Sequence, residues 1–301
     1  MDRTGILSAI GAALAFSSLS VVGKLAPEAH LNPNTLLFWR FALASLVLLL
    51  ISRKTLLPAH FPALFRWPAF VLGLIYTAQT TLYFLALGHL SAGTTSLVLY
   101  LTPALVLGLQ AWAGLKPSRL QMAAVGCALL GVTVLAGNLS AQDTSVQGWL
   151  LVLASAVCYA LYLFLGGRWL AASPALPATA ISTFGTACGL GLLGLVTQQL
   201  HVPTGTTSWT LIGLIMLFPT VLALPAVFFA TAKLGSGSTA LLLTLEPVFV
   251  LLLGTFLLHE PVGLAQMLGG LLILLGAGMA SWTGQQKAGG QVPRAESRPQ
   301  P

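Results

Sequence analysis

The sequence predicts an all-α integral membrane protein, with ten transmembrane helices arranged as two inverted five-helix repeats. Three observations predict it. Of the 301 residues, 56% are hydrophobic and only 6% charged, against about 25% charged in soluble domains, so lipid has to solvate most of the surface. Apolar runs of about 20 residues, the length that crosses a hydrocarbon core, recur along the chain. Finally, Ala86 to Pro103 (ALGHLSAGTTSLVLYLTP) returns without a gap as Ala230 to Pro247 (ATAKLGSGSTALLLTLEP), 144 residues later.

The repeat extends beyond that match. Eight of the eighteen positions are identical, and the four that are not leucine (Ala86/Ala230, Gly93/Gly237, Thr95/Thr239, Pro103/Pro247) carry the weight in so apolar a chain. The same offset pairs Gly23 with Gly167, Pro33 with Pro177, Thr35 with Thr179, Phe84 with Phe228 and Pro117 with Pro261. An odd number of spans per unit turns the second copy over in the bilayer, which is the architecture of repeat transporters.

Ten runs satisfy the length requirement: 4–24, 34–52, 67–87, 91–113, 119–137, 148–168, 176–197, 209–231, 236–257 and 262–283. The first resembles a signal peptide in length, but its match to the sixth through Gly23/Gly167 and Lys24/Arg168 makes it part of the repeat. The predicted organisation is a first unit at 4–137, a second at 148–283, and a disordered cytoplasmic tail at 284–301, rich in Gly, Gln, Pro and Arg. Cys127, Cys158 and Cys188 fall inside apolar runs with no disulfide or metal spacing, and read as small buried hydrophobes.

Charge sets the orientation. With the N-terminus in the cytoplasm, the inner segments hold eleven Lys and Arg, the outer connections hold only Lys24, and Arg40 lies within the second run. Both termini are therefore expected on the cytoplasmic side. The net charge of +7 is a topology signal on this reading, not a nucleic-acid footprint.

Several residues stand out within the runs. Glu246 lies ten residues into the ninth run, about 15 Å deep at 1.5 Å per residue, near the centre of a core about 30 Å thick. A carboxyl there can exchange a proton, pair with an amine of a ligand, or bond a neighbouring helix in its neutral form. Pro247 removes a backbone donor and frees the carbonyl of residue 243. Arg40, about 9 Å below the outer face, can snorkel outward, contact a ligand or balance Glu246; Lys24 can snorkel more easily still. In the third run Tyr76, Gln79, Thr80 and Tyr83 fall at i, i+3, i+4 and i+7, on one helix face. Such a polar stripe has to face protein or water, not lipid. Tyr159 and Tyr162 in the sixth run, Tyr100 and Thr102 in the fourth, and Ser17, Ser18 and Ser20 in the first join it as walls of an expected central cavity. Pro219, with Thr220 beside it, and Pro225 interrupt the eighth run, and broken helices at mid-depth mark binding sites in repeat transporters. Glycines in the seventh run (Gly185, Gly189, Gly191, Gly194) and the tenth (Gly269, Gly270, Gly276, Gly278) permit close helix packing.

Enzyme chemistry finds no footing. The five histidines are scattered over connections, neither aspartate lies in a run, and no glycine-rich phosphate loop is present. No cofactor or metal is expected.

The residues also carry a resemblance. Leu245-Glu246-Pro247-Val248-Phe249, then Leu257-Leu258-His259-Glu260-Pro261 and Gln266 to Gly276, resemble the last two helices of the EamA domain, and Phe38-Trp39-Arg40 is similar to its early motif. Two tandem domains of this kind are the pattern of the drug/metabolite transporter superfamily, and the resemblance covers residues 4–283. It implies a multi-pass protein of the plasma membrane, the inner membrane in bacteria, that exports small metabolites such as amino acids. Copy one departs from the pattern, with Thr102 where copy two has Glu246 and Lys116 where copy two has Glu260. The expected function is a secondary transporter of amino acids or amines working by alternating access, with protons as a coupling ion. The alternative is a facilitator for another small metabolite or a lipid, with no coupling.

Overall fold

The computed structural model describes residues 3–56, 62–114, 119–137, 143–170, 173–223, 226–227, 229–230, 242–243, 245–260 and 262–289. Every regular element among them is helical: α1 (Arg3–Leu25), α2 (Pro33–Ser52), α3 (Ala63–Leu87), α4 (Ala92–Leu99), α5 (Thr102–Trp112), α6 (Arg119–Gly137), α7 (Val146–Trp169), α8 (Ala175–Val196), α9 (Thr206–Met216), α10 (Glu246–Leu258) and α11 (Leu264–Gly289). Helix starts follow from local chemistry. Asn32, Ser91 and Ser145 each accept a backbone N–H from three residues on (Thr35 at 2.7 Å, Thr94 and Gly148 at 3.2 Å), satisfying donors that the first turn leaves free.

Six stretches are long and apolar enough to cross a membrane, namely Arg3–Leu25, Pro33–Ser52, Leu64–Leu87, Ala92–Trp112, Val146–Gly166 and Leu176–Val196; Met122–Gly131, Thr206–Leu222, Glu246–Leu258 and Leu264–Gly276 are shorter apolar helices. Large apolar side chains such as Leu50, Leu130, Leu195 and Leu271 point outward, as a lipid-solvated surface requires.

Three elements differ from expectation. The fourth run is not one helix. It breaks between α4 and α5 at Tyr100–Leu101, because Pro103 has no N–H to offer the Leu99 carbonyl four residues back. In the eighth run the interruption is a π-helical turn, Leu217–Leu222, in which Ala223 N–H bonds the Phe218 carbonyl. Pro219 likewise has no donor for Ile215, and widening the turn accommodates that loss. At the other end of the chain α11 continues to Gly289, so the backbone of 284–289 is helical where a disordered tail was expected. Pro225, the start of the ninth run near Ser236 and residues 290–301 lie outside the described residues.

Packing crosses between the two halves of the sequence. α1 lies on α10, α2 on α8 and α9, α3 on α7 and α8, α4 on α10, and α6 on α11. Small residues allow the closest approaches: a Cβ on Gly131 of α6 would sit 2.6 Å from the Gly269 carbonyl oxygen of α11, and one on Gly185 of α8 would sit 2.5 Å from that of Phe70 in α3. One end of the bundle is stitched by polar contacts. Lys24 Nζ lies 3.8 Å from Glu260 Oε1, and Glu260 also accepts the Ala92 N–H at 3.0 Å. Asp143 accepts from Ser91 N at 2.8 Å and from Thr94 Oγ1 at 2.8 Å, while Gln266 Nε2 donates to the Ser91 and Thr94 hydroxyls, each at 3.2 Å. Two carboxylates thus cap the N-terminus of α4, where the helix dipole favours negative charge.

Candidate functional site

Where α1, α2, α3, α7, α8, α10 and the π-helical turn meet, they enclose a cavity of about 420 Å³. A lateral groove of about 480 Å³ between α1, the π-helical turn and α10 is larger. Among the described residues it offers no free side-chain donor, because its serines, Ser8 and Ser18, donate to the Ala226 and Ala15 carbonyls at 3.0 and 2.7 Å. The central cavity is the chemically equipped one.

Its walls come from interruptions in helices and from polar stripes. In α10 the helix begins at Glu246, and Pro247 has no donor for the Leu243 carbonyl. Tyr100, in the break between α4 and α5, supplies that donor: its hydroxyl lies 3.1 Å from Leu243 O and 3.0 Å from Glu246 Oε2. One tyrosine thereby repairs the backbone of α10 and fixes the direction of the carboxyl. From α2, Arg40 turns inward with 4% exposure, stacks over the Phe41 ring at 4.5 Å, and places Nε and Nη2 each 3.4 Å from Thr220 Oγ1. These are long contacts. Thr220 passes its own hydrogen towards the Ile215 carbonyl, also at 3.4 Å, which is the carbonyl orphaned by Pro219. Among the described residues the only ion pair is Lys24–Glu260, so Arg40 and Glu246 face the same cavity without pairing with each other.

Aromatic rings fill the remaining walls. All five tyrosines of the chain line the cavity. Tyr76 packs at 6.2 Å from Tyr159 and 5.0 Å from Tyr162, and Phe41 closes on Tyr76 at 5.8 Å. A cavity with one cation, one carboxyl and an aromatic lining fits a small dipolar or cationic organic molecule.

Comparison with known proteins agrees with this architecture. The model of the EamA-like transporter family matches residues 3–137 and again 146–282. The chain belongs to that family. It carries two tandem EamA units and is a multi-pass membrane transporter, which sets it among transporters and apart from enzymes. Two relatives from Bacillus subtilis (strain 168) are similar along most of their length: the uncharacterized transporter YyaM, 26% identical with 84% of this chain and 85% of that one covered, and the uncharacterized transporter YetK, 27% identical with 90% and 87% covered. A solved crystal structure superposes with a TM-score of 0.62 at 22% identity, covering 95% of this chain and 99% of that one, and supports the fold alone.

Within this EamA protein, twelve of the residues singled out from the sequence line the central cavity: Arg40, Tyr76, Gln79, Thr80, Tyr83, Tyr100, Thr102, Tyr159, Tyr162, Pro219, Thr220 and Glu246. Arg40 points inward instead of snorkelling, towards Thr220 of the π-helical turn. Lys24 bends to Glu260. Ser17 and Ser18 fold back onto the Leu14 and Ala15 carbonyls of their own helix and do not line the cavity, while Ser20 reaches it only through a 2.7 Å bond to Tyr83. Sequence reasoning missed one wall. Thr179, Ser182, Thr183 and Thr186 of α8 line the cavity at i, i+3, i+4 and i+7, the same spacing as the stripe on α3. That spacing was the available signal.

Proposed function

We propose that this EamA transporter is a ten-span secondary carrier with two inverted halves, exporting amino acids or related amines by alternating access. The observation that carries the reading is the separation of Arg40 and Glu246 within one aromatic cavity. An amino acid brings a complementary carboxylate and ammonium, and each buried charge gains a partner on binding that the empty cavity does not supply. Glu246 is then the group that exchanges a proton or holds the amine. With both termini in the cytoplasm, the stitched end at Lys24, Asp143 and Glu260 is the outer end.

The test is flux of an amino-acid and amine panel from proteoliposomes, with and without an imposed pH gradient. Gradient-driven movement of panel members supports the coupled carrier. Downhill movement that ignores the gradient replaces it with a facilitator, and no movement of any member sinks the substrate class. Orientation has its own check in a chain with Cys127, Cys158 and Cys188 replaced. Thr144→Cys should react with an impermeant thiol probe added outside cells and Lys54→Cys should not; the reverse pattern overturns the topology.

A further inference from the structure

Each of the five tyrosines brings one hydroxyl to the cavity wall, and two of those are already hydrogen-bonded. Tyr83 shares a 2.7 Å bond with Ser20 and Tyr100 is engaged by Leu243 O and Glu246, while Tyr162 faces Ser182 of α8. The hydroxyls of Tyr76 and Tyr159 have no partner among the described residues, and neither is sealed inside the wall. They belong to α3 and α7, which pack on each other, with the two rings 6.2 Å apart and edge to face.

The same wall holds a third unfilled group. Ser155 on α7 donates its hydrogen to the backbone carbonyl of Gln79 on α3 at 2.9 Å, so only the amide Nε2 of Gln79 can face the Ser155 oxygen, at 3.3 Å. This settles which way the amide points. Its Oε1 is left as an acceptor with no donor, on a residue 4% exposed. Gln79 is one turn from Tyr76 and Ser155 one turn from Tyr159, so this clamp also sets how the two tyrosines face. Buried polar groups are bonded in roughly nine cases of ten, and three unfilled ones on a single wall ask for a polar partner from outside the chain. Arg40 and Glu246 stand on other elements, α2 and α10, so the groups this wall itself offers are neutral, and the two charges of a dipolar cargo are met from other helices.

We infer that the free hydroxyls of Tyr76 and Tyr159, backed by Gln79, read a hydrogen-bonding side chain on the cargo, and that the carrier prefers amino compounds with a hydroxyl or amide there over aliphatic ones of equal size. This rests on the amino-compound reading above. A site built to bond a polar group rejects the analogue that lacks it, because its own groups are then left unpaired.

The test is equilibrium binding to the full chain in nanodiscs of three matched pairs: L-threonine with L-valine, L-glutamine with L-methionine, and L-tyrosine with L-phenylalanine. In at least one pair the polar member should bind the wild type about tenfold tighter, the scale of one or two hydrogen bonds. Tyr76→Phe and Tyr159→Phe should each lower that ratio about threefold, and the double variant should bring it near one by weakening the polar member alone. Ser155→Ala, which frees the Gln79 amide to rotate, should lower the ratio without removing any cavity group. Retained binding of the apolar member shows that each variant is folded. An unchanged ratio in the double variant overturns the assignment, as does equal weakening of both members, which would put the hydroxyls on the shared backbone of the amino acid. If all three pairs bind the wild type without preference, the inference fails while the carrier reading stands; if none binds, both fall.

Discussion

The two helix breaks, Leu99–Pro103 and Leu243–Pro247, occupy matching positions in the two copies and suffer the same injury. In each, a proline leaves the carbonyl four residues earlier without its donor. The repairs differ. In copy one the Thr102 hydroxyl turns back 2.5 Å to Leu99 O, within its own turn. In copy two the residue equivalent to Thr102 is Glu246, which has no hydrogen to give when ionised, and the donor comes from across the molecule as the Tyr100 hydroxyl. A local repair leaves the first break electrically silent. A borrowed repair ties the second break, its carboxyl and the first break into one unit. Among the described residues, one scaffold used twice therefore presents a single carboxyl to the cavity, and a carrier needs only one such group to couple to protons.

Substitutions at these breaks separate the two roles. The largest effect is expected for Glu246→Gln, which keeps the shape but cannot ionise: movement driven by a pH gradient should fall to that of empty liposomes while the protein still inserts. Undiminished gradient-driven flux in that variant would remove Glu246 from coupling. Tyr100→Phe comes next. It removes the one hydroxyl hydrogen that Leu243 O and Glu246 share and should cost about 1–2 kcal/mol in a denaturing-detergent titration, with flux reduced severalfold; stability and flux equal to wild type would mean that the borrowed repair is idle. Thr102→Val should have the smallest effect, about 1 kcal/mol of stability for one neutral hydrogen bond, with the response to a pH gradient intact. If Thr102→Val abolished that response, the two breaks would not differ as described.

The comparison also marks how far the sequence reaches. Pro103 and Pro247 were visible as a matched pair, and the freed carbonyl at residue 243 followed from Pro247 alone. That its partner would be Tyr100 did not follow, because the contact joins residues 146 positions apart. The stripe on α3 was legible because amide and phenol groups are conspicuous in an apolar run. The equally spaced stripe on α8 was obscured because threonine and serine hydroxyls can be absorbed by their own helix, as Thr183 does with the Thr179 carbonyl at 2.7 Å, and because the glycines of that run drew the reading towards packing. The sequence put Arg40 within the second run but left its direction open, since direction depends on which helices lie against α2. The cluster at Lys24, Ser91, Asp143 and Glu260 draws on four separate connections, and no local pattern announces it.

The crossed packing of the two halves has a consequence for biosynthesis. α3 ends at Leu87, but the helices it rests on are not complete until Val196; at about 5–20 residues per second the ribosome needs on the order of 10 s to supply them. Throughout that interval the amide and hydroxyls of Gln79, Thr80, Tyr76 and Tyr83 have left the translocon without their final neighbours, in a medium that offers them no hydrogen bonds. The polar face that equips the finished protein is thus a hazard to the nascent chain, and α3 is the segment where assistance from an insertion chaperone should matter most.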